Sequence, residues 1–395
     1  MVGDDIRDEI VKIPNNHVLL EWATGTGKSR AAIERLDALP KKDKVLIFVP
    51  RLILIKGWKN EFKLWGYERL LKSVTFSTYY SIEKHKGKWD VIIFDEVHHL
   101  SPRCRNVLCE YQFDYSILLS ATVGYDLKQE LKYMFKNLYC YQIRAKEAIN
   151  NGMLPDPKVI LIPLKLDDML KKEMIIKNPT KNTKPIVIDY SQRWKYIRNK
   201  TDKIIINCTQ KQRYDDFTSM VDWYKNKFMS TRNEVIRGKW MRVSKDRLDW
   251  LSSIKNKVIL DILKELKSER TLVFCSDIAQ TEALGEYCIN SKNERSNEYL
   301  QMFNEGKIDH ITSCNILNEG ANLVNCKIGI YANLNSSETI INQRLGRLLR
   351  HPEPVIIIPY FVGTRDNEIV NTMLENYNKD LIKGVFDIKK LKSCI

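Results

Sequence analysis

Short, unbroken apolar runs separated by stretches of helical period set the layout of this chain. HVLLE (His17–Glu21), KVLIFVP (Lys44–Pro50), SVTFS (Ser73–Ser77), DVIIFDE (Asp90–Glu96) and SILLSAT (Ser116–Thr122) predict strands, with helices over Lys28–Leu39 and near Ile53–Trp65. Runs that are apolar at every position suit strands covered on both faces, as in a parallel sheet flanked by helices. A second set of the same kind begins near Lys255. It comprises strands at Thr271–Cys275, Asp309–Cys314, Lys327–Ala332 and Val355–Val362, with helices over Ile278–Ile289 and Thr339–Arg350.

Between the two sets the pattern changes. Pro163–Pro185 reads as a strand, a helix and a polar loop, and the segment after Lys211 reads as mostly helical. The expected architecture is therefore α/β, with two parallel-sheet domains in tandem and a helical or mixed accessory insertion. The predicted divisions are 1–154, 155–254 and 255–395, the last ending in C-terminal helices.

Composition sharpens this. A chain of 395 residues exceeds one ordinary core, and 44% hydrophobic residues can fill more than one. No apolar run reaches the ~18 residues of a membrane span. The N-terminus lacks a basic stretch followed by an apolar one, so the expectation is a chain that stays in the cytoplasm (a host's, if it is viral). The nine cysteines have no zinc-site spacing, so neither disulfides nor a structural metal is expected. A net charge of +15 asks for a polyanionic partner, although a lysine- and asparagine-rich composition accounts for part of it.

The chemistry is concentrated in three places. WATGTGKSR (Trp22–Arg30) lies between a predicted strand and a predicted helix, where a tight loop can turn backbone N–H groups onto phosphate. Thr24, Gly25, Thr26 and Gly27 would form the cradle, Lys28 would reach the β- and γ-phosphates, and Ser29 would offer its hydroxyl to Mg²⁺. The strict pattern has glycine where this chain has Trp22. Asp95 and Glu96 end an apolar strand, so their carboxylates emerge at the sheet edge where ligands bind. There Asp95 can hold Mg²⁺ and Glu96 can polarise a water. Ser120 and Thr122 follow another buried strand and can bond to His98. Gln343, Arg347 and Arg350 share one face of a helix, a costly arrangement unless an anion meets it.

In this order the motifs resemble the superfamily 2 helicases and translocases, in which two RecA-like domains face each other across one ATP. VPRLILIKGW (Val49–Trp58), STYYSI (Ser77–Ile82), VFCSDI (Val273–Ile278) and LNEGANL (Leu317–Leu323) resemble further motifs of that family. The resemblance covers about Leu19–Asp126 and Thr271–Thr364. It implies ATP and Mg²⁺ as cofactors, Glu96 as catalytic base, Gln343 as γ-phosphate sensor and Arg347 and Arg350 as finger arginines. It also implies nucleic-acid contacts by Arg51, Ser77 and Thr78, and coupling through Glu319 and Gly320. The adenine-reading element of the DEAD-box branch is not recognisable in the short N-terminus. DEVHH is similar to the UvsW-like, RecG-like and type III restriction motors, which act on DNA.

Within the insertion, aromatics interleave with bases: Arg193, Trp194 and Lys195, then Arg237, Lys239, Trp240 and Arg242. Such a set can neutralise phosphates and stack bases. The leading expectation is an ATP-dependent DNA helicase or translocase, DNA being preferred over RNA as partner and a monomer over an oligomer. Replication, recombination or nuclease proteins are the expected companions, with no membrane. An RNA helicase or RNP remodeller, and the motor subunit of a restriction or defence complex with a separate nuclease, stay open.

Overall fold

The computed structural model describes residues 2–314, 323, 325–335, 344–346, 348–375 and 377–395. The first lobe is a six-stranded parallel sheet. Its strands are β1 (His17–Trp22), β2 (Val45–Val49), β3 (Val74–Thr78), β4 (Lys88–Phe94), β5 (Gln112–Ser120) and β6 (Tyr139–Ile143), in the order β3-β2-β4-β5-β1-β6. Helices α1 (Val2–Lys12), α2 (Lys28–Ala38) and α3 (Ile53–Leu64) cover one face. Helices α4 (Pro102–Leu108) and α5 (Tyr125–Met134) cover the other, and α6 (Ala145–Asn150) leads out of the lobe. The unbroken apolar runs are explained by this double covering: Val18, Leu20 and Trp22 of β1 face the first layer and Leu19 the second. Arg35 of α2 donates to the carbonyls of Ile10 (2.7 Å) and Ile13 (3.1 Å), pinning the C-terminal end of α1 to α2.

The chain then crosses to the second lobe earlier than expected. Strand β7 (Lys158–Leu164), which fell within the predicted insertion, pairs in parallel with Val355–Phe361 and belongs to the second sheet. After it the chain folds β8 (Glu173–Lys177), β9 (Ile186–Asp189) and β10 (Ile204–Cys208) into a separate three-stranded sheet. The helix expected before β8 does not form. Asp167 accepts from the backbone N–H groups of Met169 (2.8 Å) and Leu170 (3.1 Å), and this local turn displaces it.

Two long antiparallel helices follow, α7 (Gln210–Thr231) and α8 (Glu234–Ser253), joined at Arg232 and Asn233. The reciprocal cap between Thr209 and Gln212 starts α7, and the Asn233 side chain caps α8. The root of this hairpin is tied to the second lobe. The Tyr214 hydroxyl accepts from the Arg365 N–H at 2.7 Å. Lys255, just after α8, pairs with Asp366 at 2.7 Å with both side chains out of solvent. Removing one partner of such a buried pair costs about 3–5 kcal/mol.

The second lobe continues with α9 (Asn256–Glu265), β11 (Thr271–Phe274), α10 (Ile278–Leu284), β12 (Cys288–Ile289), α11 (Ser296–Asn304), β13 (His310–Ser313), β14 (Ile328–Tyr331), β15 (Val355–Phe361) and β16 (Ile382–Gly384). Its seven strands run β12-β13-β11-β14-β15-β7-β16 with parallel pairings throughout. The helix predicted over Ile278–Ile289 is shorter because Gly285 ends it and Cys288–Ile289 becomes an edge strand. Among the described residues the C-terminal stretch likewise holds one α-helix, Arg365–Leu374, followed by strand β16 rather than helices alone. One apolar cluster passes from Ala23 and Leu154 to Val159, Leu345 and Leu348, so the lobes are in contact. Among the described residues no helix is long and apolar enough to cross a membrane.

Candidate nucleotide site and nucleic-acid groove

The phosphate loop joins β1 to α2. Gly25 and Gly27 hold φ of 92° and 87°, a region in which a Cβ is strained, and this backbone turns the loop into a cradle at a helix N-terminus. Trp22, the departure from the strict pattern, is the last residue of β1 and fully buried in its core. A strand position needs no glycine. Its carbonyl accepts from Lys28 Nζ at 2.8 Å, and the Thr26 hydroxyl donates to the Ala23 carbonyl at 2.7 Å. Ser29 lines the same cavity of about 790 Å³, together with Lys28, Asp95 and Glu96.

Asp95 follows β4. Its carboxylate accepts from the indole N–H of Trp58 at 2.8 Å, and its carbonyl accepts from the Tyr79 hydroxyl at 2.7 Å. Desolvation by the surrounding protein, and then the neighbouring Glu96 charge, push the Asp95 carboxyl well above the usual range, with Trp58 and Lys28 opposing. Glu96 sits at φ 49° and ψ 60°, a left-handed conformation that costs a non-glycine residue about 1–3 kcal/mol. Its Oε2 lies 3.4 Å from His98 Nδ1, and that same nitrogen is 3.1 Å from the Ser120 hydroxyl. Ser120 in turn donates to the Thr122 carbonyl at 2.9 Å. The three elements that follow β1, β4 and β5 thus converge on one sheet edge.

The opposite wall of the cleft comes from the second lobe. A Cβ built on Gly346 would lie 2.2 Å from the Cβ of Thr24, so the backbone of residue 346 rests on the phosphate loop as only glycine can. Arg350, on the same stretch, lines the cavity with Lys28, Asp95 and Glu96. Arg350 remains exposed at the mouth of the cleft, and the protein around its guanidinium lowers its pKa, with Glu61 opposing. Gln343 and Arg347 lie outside the described residues, as do Glu319 and Gly320.

The site suits Mg²⁺ carried in with a phosphate rather than a metal caged by protein. Among the described residues no group of three or more His, Cys, Asp or Glu side chains could hold an ion. Magnesium bound through one or two carboxylates and substrate phosphates needs none. Among the described residues Thr24 Oγ1 and Thr122 Oγ1 are buried with no hydrogen-bond partner, and Glu96 Oε2 has no hydrogen bond beyond its approach to His98, so the cleft holds polar groups that a polar ligand would satisfy.

A second cavity, of about 540 Å³, also lies between the lobes. Arg51 of the first lobe, Lys245 of α8, and Ser276 and Asp277 after β11 line it. Thr78 is half-buried at the end of β3, whereas Ser77 is buried and paired with Phe48, so Ser77 offers no surface for a strand. On the insertion, Trp194 is 63% exposed with Arg193 stacked between it and Tyr190, at 4.4 and 3.9 Å. Lys195, Arg237, Lys239 and Arg242 are exposed. Trp240 instead is half-buried, stacked on Phe228 and packed against the hairpin core, which leaves less of its ring open to a base. Trp223 on α7, 55% exposed with Lys227 over its ring at 4.6 Å, is the freer aromatic there.

Comparison with known proteins agrees with this geometry. Residues 5–124 match the family model described as type III restriction enzyme, res subunit, and residues 254–352 match the helicase conserved C-terminal domain. The chain belongs to the superfamily 2 helicases and translocases. It is 24% identical over 388 residues to the DNA 3'-5' translocase XPB2 of Sulfurisphaera tokodaii, covering 92% of this chain and 82% of that protein. In fold it is similar to Dbp5 of S. cerevisiae bound to RNA and ADP BeF3 (TM-score 0.62, 10% identity, 99% of this chain and 90% of that one). It is also similar to the Hef helicase domain of Pyrococcus furiosus (TM-score 0.52, 12% identity, 94% and 97%).

For a helicase-family site, sequence reading missed Trp58, Tyr79 and Lys245. Trp58 and Tyr79 lie inside the quoted segments VPRLILIKGW and STYYSI. An aromatic with a polar tip next to a family motif is the signal that could have found them. Lys245 carried no such signal, since only the tertiary fold brings α8 beside Arg51.

Proposed function

We propose that this protein is a DNA motor driven by ATP hydrolysis in the cleft between its lobes. The observation that carries this reading is the contact of Gly346 with Thr24 while Arg350 shares a cavity with Lys28, Asp95 and Glu96. Lys28 exchanges the Trp22 carbonyl for the β- and γ-phosphates, and Glu96 polarises the attacking water. Asp95 and the Ser29 hydroxyl hold Mg²⁺, which neutralises phosphate charge when bound. Arg350 meets the charge that develops on the γ-phosphoryl, with Gln343 and Arg347 assigned beside it by family resemblance. The contacts among Glu96, His98, Ser120 and Thr122 relay the nucleotide state toward the groove at Arg51 and Lys245, joined by Glu319 and Gly320 on the same resemblance.

DNA is the proposed track, moved along in the 3'-to-5' sense. The DEVHH motif and the likeness to XPB2 support it. Residues 1–154 form the motor's first lobe and 255–395 with β7 its second. The small sheet and hairpin between them are an accessory surface for the strand, and the working unit is a monomer. The test is Mg²⁺-dependent ATP turnover with matched single-stranded DNA and RNA, alongside strand displacement on forked, tailed and branched duplexes. DNA-stimulated turnover that vanishes in Glu96→Gln is the expected result. Stimulation by RNA alone would move the reading to an RNA helicase, and absence of turnover with either polymer would end the motor reading. The match of residues 5–124 to a restriction-enzyme subunit favours a second setting, a restriction or defence motor working with a separate nuclease. Co-purification with a nuclease would distinguish it.

A further inference from the structure

A triphosphate site needs somewhere for the base to rest, and helix α1 offers no aromatic residue for it: its sequence is VGDDIRDEIVK. Among the described residues, the aromatic side chains on the wall of the nucleotide cavity are Trp58 and Trp65. Trp58 is already committed, at 4% exposure with its N–H on Asp95. Trp65, at the end of α3, remains 38% exposed at the cavity. Arg30, two residues beyond Lys28, holds its guanidinium 4.0 Å from the centre of the Trp65 ring. That arginine is itself oriented by Glu34 at 2.7 Å and by Asp4 of α1 at 3.5 Å. The Trp65 indole N–H donates to Glu61 at 2.8 Å, so the ring is braced along its edge and over one face.

We infer that Trp65, braced by Arg30 and Glu61, is the stacking platform for the nucleobase of the triphosphate. This rests on the proposal that the cavity binds ATP, and it deepens that proposal by naming what receives the base. A flat ring recognises another flat ring by overlap, and every base has a π-face. Selection on this platform therefore follows ring size, purines over pyrimidines, rather than the hydrogen-bonding edge that separates adenine from guanine.

The experiment uses the full chain with Mg²⁺ and reads ATP, GTP and CTP binding by displacement of a methylanthraniloyl-ATP probe, with hydrolysis measured separately. The expected result is that Trp65→Ala weakens ATP binding about 5- to 150-fold, the range for loss of one base–aromatic stack. Trp65→Phe stays near the parent, and the advantage of ATP over CTP collapses in Trp65→Ala. An unchanged melting temperature confines the effect to the site. Equal ATP affinity in parent and Trp65→Ala overturns the platform, as does a parent that binds CTP as tightly as ATP. If the parent binds ATP through Trp65 but does not hydrolyse it, the platform stands and the motor reading fails.

Discussion

The cleft and the accessory insertion treat their polar groups in opposite ways. Around the phosphate loop, Thr24 and Thr122 keep buried hydroxyls without a hydrogen-bond partner among the described residues, and Glu96, beside His98, holds a strained backbone. On the insertion several charges are already paired at the surface: Lys211 with Asp215 at 2.7 Å, Arg237 with Glu234 at 3.2 Å, and Lys245 with Asp249. A site that stores unsatisfied groups gives up stability for a ligand that satisfies all of them together. A surface of exposed pairs gives up little, and it meets a polyanion by exchanging one partner for another. Substitutions in the cleft should therefore act steeply, and those on the insertion in small, additive steps.

The steepest effect is expected from Arg350→Ala. If its guanidinium meets the γ-phosphoryl, turnover with DNA present should fall by about 10³–10⁵-fold, as for other finger arginines. A variant that hydrolyses ATP as fast as the parent would remove Arg350 from the reaction. Next in size is Gly346→Ala, which drives a methyl group into Thr24. Overpacking of this kind costs ~1–3 kcal/mol, or about 5- to 150-fold in turnover if lobe closure bears the whole cost. Adding Thr24→Gly should recover part of that loss. Failure of the double variant to recover, with both single variants folded, would mean the two lobes do not press together there during the cycle.

On the insertion the expected changes are modest. The distal hairpin carries Lys225, Lys227, Arg232, Arg237, Lys239 and Arg242 against Asp222 and Glu234. Replacing any one of these bases with alanine should weaken DNA binding uniformly across sequences and lower the slope of log K against log salt by about 1. A salt slope identical to the parent in all six variants would take the hairpin off the DNA. The smallest effect concerns pH. Burial lowers the pKa of His17 and of His310 below 6.5, with Asp309 opposing at His310. The unfolded chain therefore protonates these two histidines first, and their own share of the stability should fall as pH drops below 6.5, against the opposite drift of Asp95, whose raised carboxyl favours the folded state as pH falls. A His17→Gln, His310→Gln double variant whose urea midpoint changes between pH 7.5 and about 5.5 by the same amount as the parent's would contradict this.

The same contrast explains what could be read from the residues alone. The phosphate loop, DEVHH and the buried strands are local devices: a short run of chain carries both the backbone shape and the chemistry. Their order also fixed the two-lobed class. Gly346 against Thr24, Trp58 on Asp95, and Lys245 beside Arg51 are pairings between distant stretches, and no spacing encodes them.

The insertion shows the limit most clearly. Trp194, Trp223 and Trp240 look alike in sequence, each set among bases, yet two face solvent and one is half-buried against the hairpin core. Strand β7 reads as part of the insertion because its apolar run does not name its partner, and only pairing with β15 assigns it to the second sheet. Covalent order determined the chemistry available and the period of each element. Which side chains share a cavity was decided by packing, because burial depends on what the rest of the chain brings to the other side.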